Sequence, residues 1–264
     1  MEYRQTDTSC PLLQQLDRLP TLPRPVLGHA QSLPNQAIDR PHRHPWVQLS
    51  YAVRGVVTVE TTDARYLAPP SLAVWIPPGL EHGVRLGSET RIRSLYIAAD
   101  ALPERGCQVL EISPLLRELI VAFSHFPVEY EEAGAEGRLV RVLLDRLACA
   151  PSRALMLPWP RDPRLLPLCL QLAAQPDCPL PLGHFSAQLG LSDKTLSRAF
   201  KADTGMSFRQ WRQRCRLLAA LPLLERGERI TDVALACGYD SLSAFIAAFR
   251  ELLGRTPGDY MQQR

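Results

Sequence analysis

Three histidines and one glutamine, residue types that can line a small-molecule pocket, hydrogen-bond a fold or ligate an ion, stand in two short stretches of this chain. PHRHPWVQLSYAVRG sets His42, His44 and Gln48 ahead of Gly55, and PPGLEHGV later adds Pro77, Gly79 and His82. Imidazole nitrogens hydrogen-bond readily and can also ligate divalent transition metals. A glutamine oxygen is a weak, neutral donor beside them. A second group is cationic: after Ser192 come Lys194, Thr195, Ser197, Arg198 and Lys201, with Leu196, Ala199 and Phe200 interleaved at helical spacing. If those three apolar residues point inward, a face of Lys, Thr, Ser and Arg is left for base edges and phosphates. A third group, Leu242, Ser243, Ile246 and Ala247 with Arg250 further along, surrounds Phe245 and Phe249. It is poor in hydrogen-bonding groups and suits thymine methyls and phosphates.

The elements that must carry the last two groups read as helix, tight turn, second helix. LGHFSAQLGLSDKTLSRAFKADTG runs from Leu182 to Gly205 and ITDVALACGYDSLSAFIAAFRELLG from Ile230 to Gly254. In the first unit Phe185 and Leu189 give an apolar face, Gly190 ends the helix, Leu191 tucks into the angle and Ser192 is the N-cap of the next helix. In the second, Val233, Ala234 and Cys237 pack the first helix, Gly238 stops it, and Asp240 or Ser241 caps the second. One such unit reads equally well as a helix pair in a bundle. Two in tandem can place two helices in successive major grooves, which recur about every 34 Å along one face of a duplex.

These residues carry a resemblance. The region from about Leu165 to Tyr260 resembles the DNA-binding domain of the AraC/XylS family of bacterial transcription regulators. The match is strongest over Ala236 to Tyr260, where Gly238, Tyr239, Ser241, Phe245, Phe249, Gly254, Pro257 and Tyr260 stand in the family's places. The resemblance implies a long central helix starting near Ser207 and carrying Phe208, Trp211, Arg212, Arg216 and Leu217. It also implies base-reading roles for Lys194, Ser197 and Arg198, and for Leu242, Ser243 and Ala244 with Ile246 and Ala247. Two residues depart from the family pattern: Ala247, where many members carry a polar residue or arginine, and Pro222, which predicts a kink in the central helix or a break between Leu221 and Leu223.

The first half changes character. WVQLSYAV, GVVTVET and LAVWIP are short strand-like runs between Gly, Pro and Asp turns, and the alternation of Val57, Val59 and Thr61 with Thr58, Glu60 and Thr62 predicts a small sandwich or barrel. With its two histidine motifs this half resembles the cupin barrel, in which Gln48 replaces the usual glutamate. In AraC-type regulators that barrel is the effector pocket, so the resemblance implies a small-molecule effector near His42, His44, Trp46, Gln48, Trp75 and His82, with Tyr51 and Tyr96 as further aromatic surface. A divalent metal held by His42, His44, Gln48 and His82 is one alternative, in a metal-sensing regulator. Another is a metal-dependent cupin enzyme with an appended DNA-binding domain, for which Glu81 is the only nearby acid or base.

The expected organisation is an N-terminal tail (1–20), a cupin-like effector domain (21–111), a helical extension (112–150), a stiff Pro-rich linker (151–163) and an all-α domain with two helix-turn-helix motifs (164–264). In the extension, Leu115, Leu116, Leu119, Ile120 and Phe123 form one stripe and Leu139, Val140, Leu143, Leu144 and Leu147 another, flanking the polar stretch Glu129 to Gly137. Such stripes cap the barrel or pair with a second subunit, and the family resemblance favours a homodimer. Over Arg161–Arg264 there are 14 Lys plus Arg against 10 Asp plus Glu, a net of +4, whereas the first 160 residues carry 16 against 17. The excess suits double-stranded DNA, although genomic base composition explains arginine enrichment equally well. No apolar run approaches the roughly 18 residues that span a membrane, and MEYRQTDTSC has no signal-peptide core, so a cytoplasmic location is expected. Seven cysteines without a C-x-x-C pair predict reduced thiols in apolar settings such as Cys149, Cys169, Cys215 and Cys237. The reading is a DNA-binding regulator, not an enzyme, with RNA polymerase as a further partner. Its motifs look especially like the branch of the family that controls neighbouring transporter or efflux genes.

Overall fold

The computed structural model describes residues 21–28, 40–87 and 90–262, so the expected tail at 1–20 lies outside the described residues. Two antiparallel sheets face each other in the first half. The larger follows the order β1 (Val26–Leu27), β8 (Leu95–Ile97), β2 (Val47–Arg54), β5 (Leu72–Ile76), β9 (Gln108–Glu111) and β10 (Ser152–Arg153), with β7 (Arg91–Ile92) pairing β2. The smaller runs β11 (Met156–Pro158), β4 (Ala64–Ala68), β3 (Val57–Thr61) and β6 (His82–Leu86).

Alternation along β2 and β5 decides what faces the interior between the sheets. Gln48 is paired with Ile76 and Ser50 with Val74, whereas Leu49 is paired with Trp75 and Tyr51 with Ala73. Opposed residues share a face. Ala52, Val74, Ile76 and Val109 pack with Val57, Val59, Tyr66 and Val84 of the other sheet, so the face bearing Gln48 and Ser50 is the interior one. Val47, Leu49, Tyr51 and Trp75 lie on the opposite face, against two helices. These are α1 (Pro114–Phe123), capped by Ser113 with Pro114 in its first turn, and α2 (Ala135–Ala148). Leu116, Ile120 and Phe123 of α1 and Val140, Leu143 and Leu147 of α2 are buried there, each such side chain contributing about 1.5–3 kcal/mol. The helical stripes therefore do cover the sheet. The expected interior position of Trp75 and Tyr51 is corrected: a strand buried on both faces gives no hydropathy contrast by which to tell them apart.

The segment 151–163 is not the free-standing linker expected from its prolines. Ser152 and Arg153 pair with Leu110 and Val109, and Met156–Pro158 pairs with Ala64–Tyr66, so the chain adds a strand to each sheet as it leaves the helices. Proline is tolerated here because Pro158 closes a strand at a sheet edge.

The second half is helical: α3 (Leu166–Ala174), α4 (Leu182–Gln188), α5 (Asp193–Thr204), α6 (Phe208–Glu225), α7 (Ile230–Ala236), α8 (Leu242–Leu253) and α9 (Pro257–Gln262). The central helix α6 starts from a capping box in which Ser207 and Gln210 satisfy each other's backbone N–H groups. It runs past Pro222 without the break between Leu221 and Leu223, one of the two expectations for this residue. Pro222 lies in the last turn, where Arg226 N–H already closes the helix on its carbonyl, so one bond is lost near an end rather than mid-helix. Cys169, Cys215 and Cys237 are buried as expected, but Cys149 is exposed at the C-cap of α2.

The two halves share one apolar core. The Trp211 indole N–H donates to the Pro158 carbonyl at 2.7 Å, the Asp162 N–H to the Asp203 carboxylate at 2.8 Å, and the Arg255 guanidinium to Ser71 Oγ at 2.8 Å. Trp159 and Trp211 lie with ring centroids 6.1 Å apart at this seam.

Candidate nucleic-acid interface and histidine cluster

The first helix-turn-helix forms as its residues dictate. Phe185 is buried under α4, Gly190 turns the chain at φ +63°, and Ser192 Oγ accepts the Thr195 N–H at the start of α5. Leu196 and Phe200 are fully buried, which leaves Lys194, Thr195, Ser197, Arg198 and Lys201 exposed on one face. Thr195 also hydrogen-bonds Ser192 Oγ through its hydroxyl at 2.9 Å, so the cap already uses one of its groups. The Ser186 hydroxyl donates to the Asp193 carboxylate, tying α4 to the first residue of α5.

The second unit repeats the design. Gly238 turns at φ +75°, and Ser241, not Asp240, is the N-cap of α8, accepting from the Ala244 N–H. Phe245 and Phe249 are fully buried; Leu242, Ser243, Ala244, Ala247 and Arg250 are exposed, and Ile246 is half-buried. Leu242 is 40% exposed at the first position of the helix, an apolar tip where the first unit presents acid and cation. Arg212 and Arg216, by contrast, face inward: they donate to the carbonyls of Leu180 and Pro176 and fasten the segment that leads into α4.

In the sheet-rich first half the three histidines converge. His42 and His82 exchange backbone hydrogen bonds at 2.9 Å, and one ring nitrogen from each of His42, His44 and His82 lies within 4.8 Å of the others. Each ring is held by its Nδ1 against a backbone carbonyl: Arg40 at 3.1 Å, Trp46 at 2.9 Å and Leu80 at 2.9 Å, respectively. Gln48 Oε1 sits 2.9 Å from His44 Nε2 and 3.2 Å from His82 Nε2, while its amide nitrogen donates to Ser50 Oγ at 2.9 Å. His42 Nε2 is buried without a hydrogen-bond partner. Burial lowers the His44 pKa, against the opposing pull of its Gln48 contact, and brings that of His82 down to about 4. Trp46 stacks on His44 at 5.4 Å, and Tyr96 lies 5.4 Å from the same ring.

Of the residues expected to form this pocket, the fold brings together His42, His44, Trp46, Gln48 and His82 and leaves Trp75 on the other face of its sheet. Glu81 is exposed and pairs with Arg43 at 3.9 Å. Ser50, absent from the expected set, completes the cluster; its signal was its place two residues beyond Gln48 on one strand face.

Comparison with known proteins bears on both regions. Residues 25–175 match the AraC-like ligand binding domain and residues 185–263 a helix-turn-helix domain. The chain belongs to the AraC family. It is 36% identical to the HTH-type transcriptional regulator NimR of Escherichia coli (strain K12) over 221 residues, 83% of this chain and 81% of that protein. It is 33% identical over 104 residues to the HTH-type transcriptional activator RhaR of Klebsiella pneumoniae, covering 39% of this chain and 37% of RhaR. Among solved structures, a DNA-binding transcriptional dual regulator from Escherichia coli K-12 aligns with a TM-score of 0.34 at 30% identity, over 37% of this chain and 93% of that one. The protein is thus an AraC-family DNA-binding transcription regulator with a ligand-binding domain. Among the described residues, no helix is long and apolar enough to cross a membrane.

The AraC-family signature in this chain has a physical meaning position by position. Gly238 and Gly254 supply the left-handed turn and C-cap, Ser241 caps, and Phe245 and Phe249 are the buried face of α8. Tyr239 packs on Phe245 at 5.2 Å, Tyr260 on Phe249 at 5.7 Å, and the Tyr260 hydroxyl donates to the buried carboxylate of Glu225 on α6.

Proposed function

We propose that α5 and α8 are the two DNA-reading helices of this regulator, with Lys194, Ser197 and Arg198 at base edges and Lys201 and Arg250 on phosphates. The observation that carries this is the exposed polar face of α5 over a fully buried Leu196 and Phe200. α8 reads through Leu242, Ser243, Ala244 and Ala247, by apolar contact rather than by hydrogen bonds. Thr195 serves chiefly the cap.

The effector is a small molecule taken up at the histidine end of the barrel, where Trp46, Tyr96, Gln48 and the three rings gather. Its binding acts by favouring one arrangement of barrel and helical domain, since only a difference in affinity between arrangements can shift DNA occupancy. The working unit is a homodimer joined through α1 and α2, whose outward Leu115 and Val142 are 55% and 44% exposed. It acts on DNA and RNA polymerase in the cytoplasm and carries out no chemistry of its own. Its targets are neighbouring transporter or efflux genes, a reading supported by the resemblance of the motifs around His42, His82 and Gly238 to that branch of the family.

A competition gel shift on the DNA upstream of its own gene tests the reading. Saturable binding that survives excess random DNA is the expected result. Weak association that random DNA removes, and that falls with salt alone, would overturn it.

A further inference from the structure

A cleft of about 530 Å³, lined by none of the histidines, opens where the ligand domain meets the helical domain. One wall belongs to the first half: the turn between β4 and β5 at Ser71, the end of β9, the first turn of α1 and the strand β10. The other is the end of the reading helix α8 and its C-cap, from Leu252 to Arg255. Much of the lining is apolar, since Leu72 and Leu155 are buried and Leu252 and Leu253 half-buried. Three cations join it: Arg117 of α1, Arg153 of β10 and Arg255 just beyond α8. Among the described residues that line the cleft, the carboxylates are Glu111 and Glu118, so three charges against two leave one positive charge. The N-terminal end of α1 adds to it. Arg153 reaches Glu111 at 2.7 Å and Arg117 lies 3.9 Å from Glu118, both pairs at the surface, where such pairs contribute little and their arginines can turn to another anion. Arg255 crosses the seam to Ser71 Oγ at 2.8 Å.

We propose that this cleft is a second ligand site, for a small organic molecule with one carboxylate and an apolar body. Arg117 and Arg153 grip the carboxylate, because a guanidinium presents paired donors to its two oxygens. A singly charged head matches the excess of one positive charge, whereas a doubly charged phosphate monoester would exceed it and face Glu111 and Glu118. The body lies over Leu155, Leu252 and Leu253, in a volume within the roughly 300–1,000 Å³ usual for small-molecule sites. One wall is the ligand domain and the other the end of α8, so the molecule favours the arrangement in which both walls reach it. It thereby holds α8 in one pose. The effect on DNA rests on reading α8 as a DNA-reading helix; occupation of the cleft does not.

The test is calorimetric titration of the full-length protein, without DNA, with phenylbutanoate. Phenylbutanol and phenylbutylamine carry the same body without the negative charge, and acetate carries the head alone. One phenylbutanoate per chain is expected, at least about tenfold tighter than any of the other three. Arg117→Gln and Arg153→Gln should each weaken it by at least about fivefold, and the double variant by more; both side chains are half-exposed, so the variants should fold. Fluorescence anisotropy on the upstream DNA then reads the coupling: saturating phenylbutanoate should change the affinity by at least about fivefold in the parent chain and leave the double variant unmoved. No binding at millimolar phenylbutanoate, equal binding of the alcohol, or binding that survives the double variant would overturn the site. Binding without any change in DNA affinity would overturn the coupling, and a chain that takes phenylbutanoate but no specific DNA would overturn the regulator reading and leave the site standing.

Discussion

At the scale of single residues, two neighbours on α5 are expected to behave differently. Arg198→Ala should cost about 1–3 kcal/mol on the specific site if the guanidinium grips guanine, with far less loss on random DNA. Lys201→Ala should weaken all sequences alike and reduce the slope of log K against log salt by about one phosphate contact. Fluorescence-anisotropy titrations on both DNAs over a salt series separate the two; equal, small effects would mean that α5 presents another face. The exposed positions on α5 and most of those on α8 were legible in the sequence, because helical spacing fixes the outward set once Leu196, Phe200, Phe245 and Phe249 are known to be inside; Ile246, expected outward, is half-buried against the core. The interior of the barrel was not. His42, His44, Gln48 and His82 could be picked out by motif, but Trp75 was misplaced because β5 is apolar on both faces.

At the scale of elements, the two turn glycines make matched probes. Gly190 and Gly238 both hold positive φ, at +63° and +75°, so alanine at either costs about 1–2 kcal/mol of backbone strain. A Cβ at Gly190 meets nothing within 4 Å, whereas at Gly238 it would stand 2.8 Å from Asp177 Cα and 2.8 Å from the Arg216 guanidinium. Urea denaturation should therefore show Gly238→Ala to be more destabilising than Gly190→Ala by at least about 1 kcal/mol; equal losses would contradict the close approach. Phe245→Ala should cost about 3–5 kcal/mol, since the ring is fully buried between Tyr239 and Phe249. The caps and stops of these helices were readable from Ser192, Gly190 and Gly238. The β-pairing of residues 152–153 and 156–158 was not, because prolines that suggest a linker are equally at home on a sheet edge, and only long-range pairing distinguishes the two.

At the scale of the molecule, the core that runs from the barrel into α6 makes the ligand domain and the DNA-reading domain one mechanical unit at the Trp211–Pro158 seam. The smaller sheet bears His82 at one edge, on β6, and β11 at the other, so a change at the histidine end can reach α6 through its strands. Trp211→Phe keeps an aromatic ring but removes the indole donor and part of its buried bulk, and should lower stability by at least about 1–2 kcal/mol in urea denaturation; an unchanged midpoint would mean that the seam bears no load. The central claim is that two helices of one chain read DNA in tandem. Selection of binding sites from a random double-stranded library by the full-length protein tests it most directly. The expected outcome is enrichment of two short blocks about 10–10.5 base pairs apart, one for each helix. Recovery of no preferred sequence, or of one block that Arg198→Ala leaves unchanged, would contradict it.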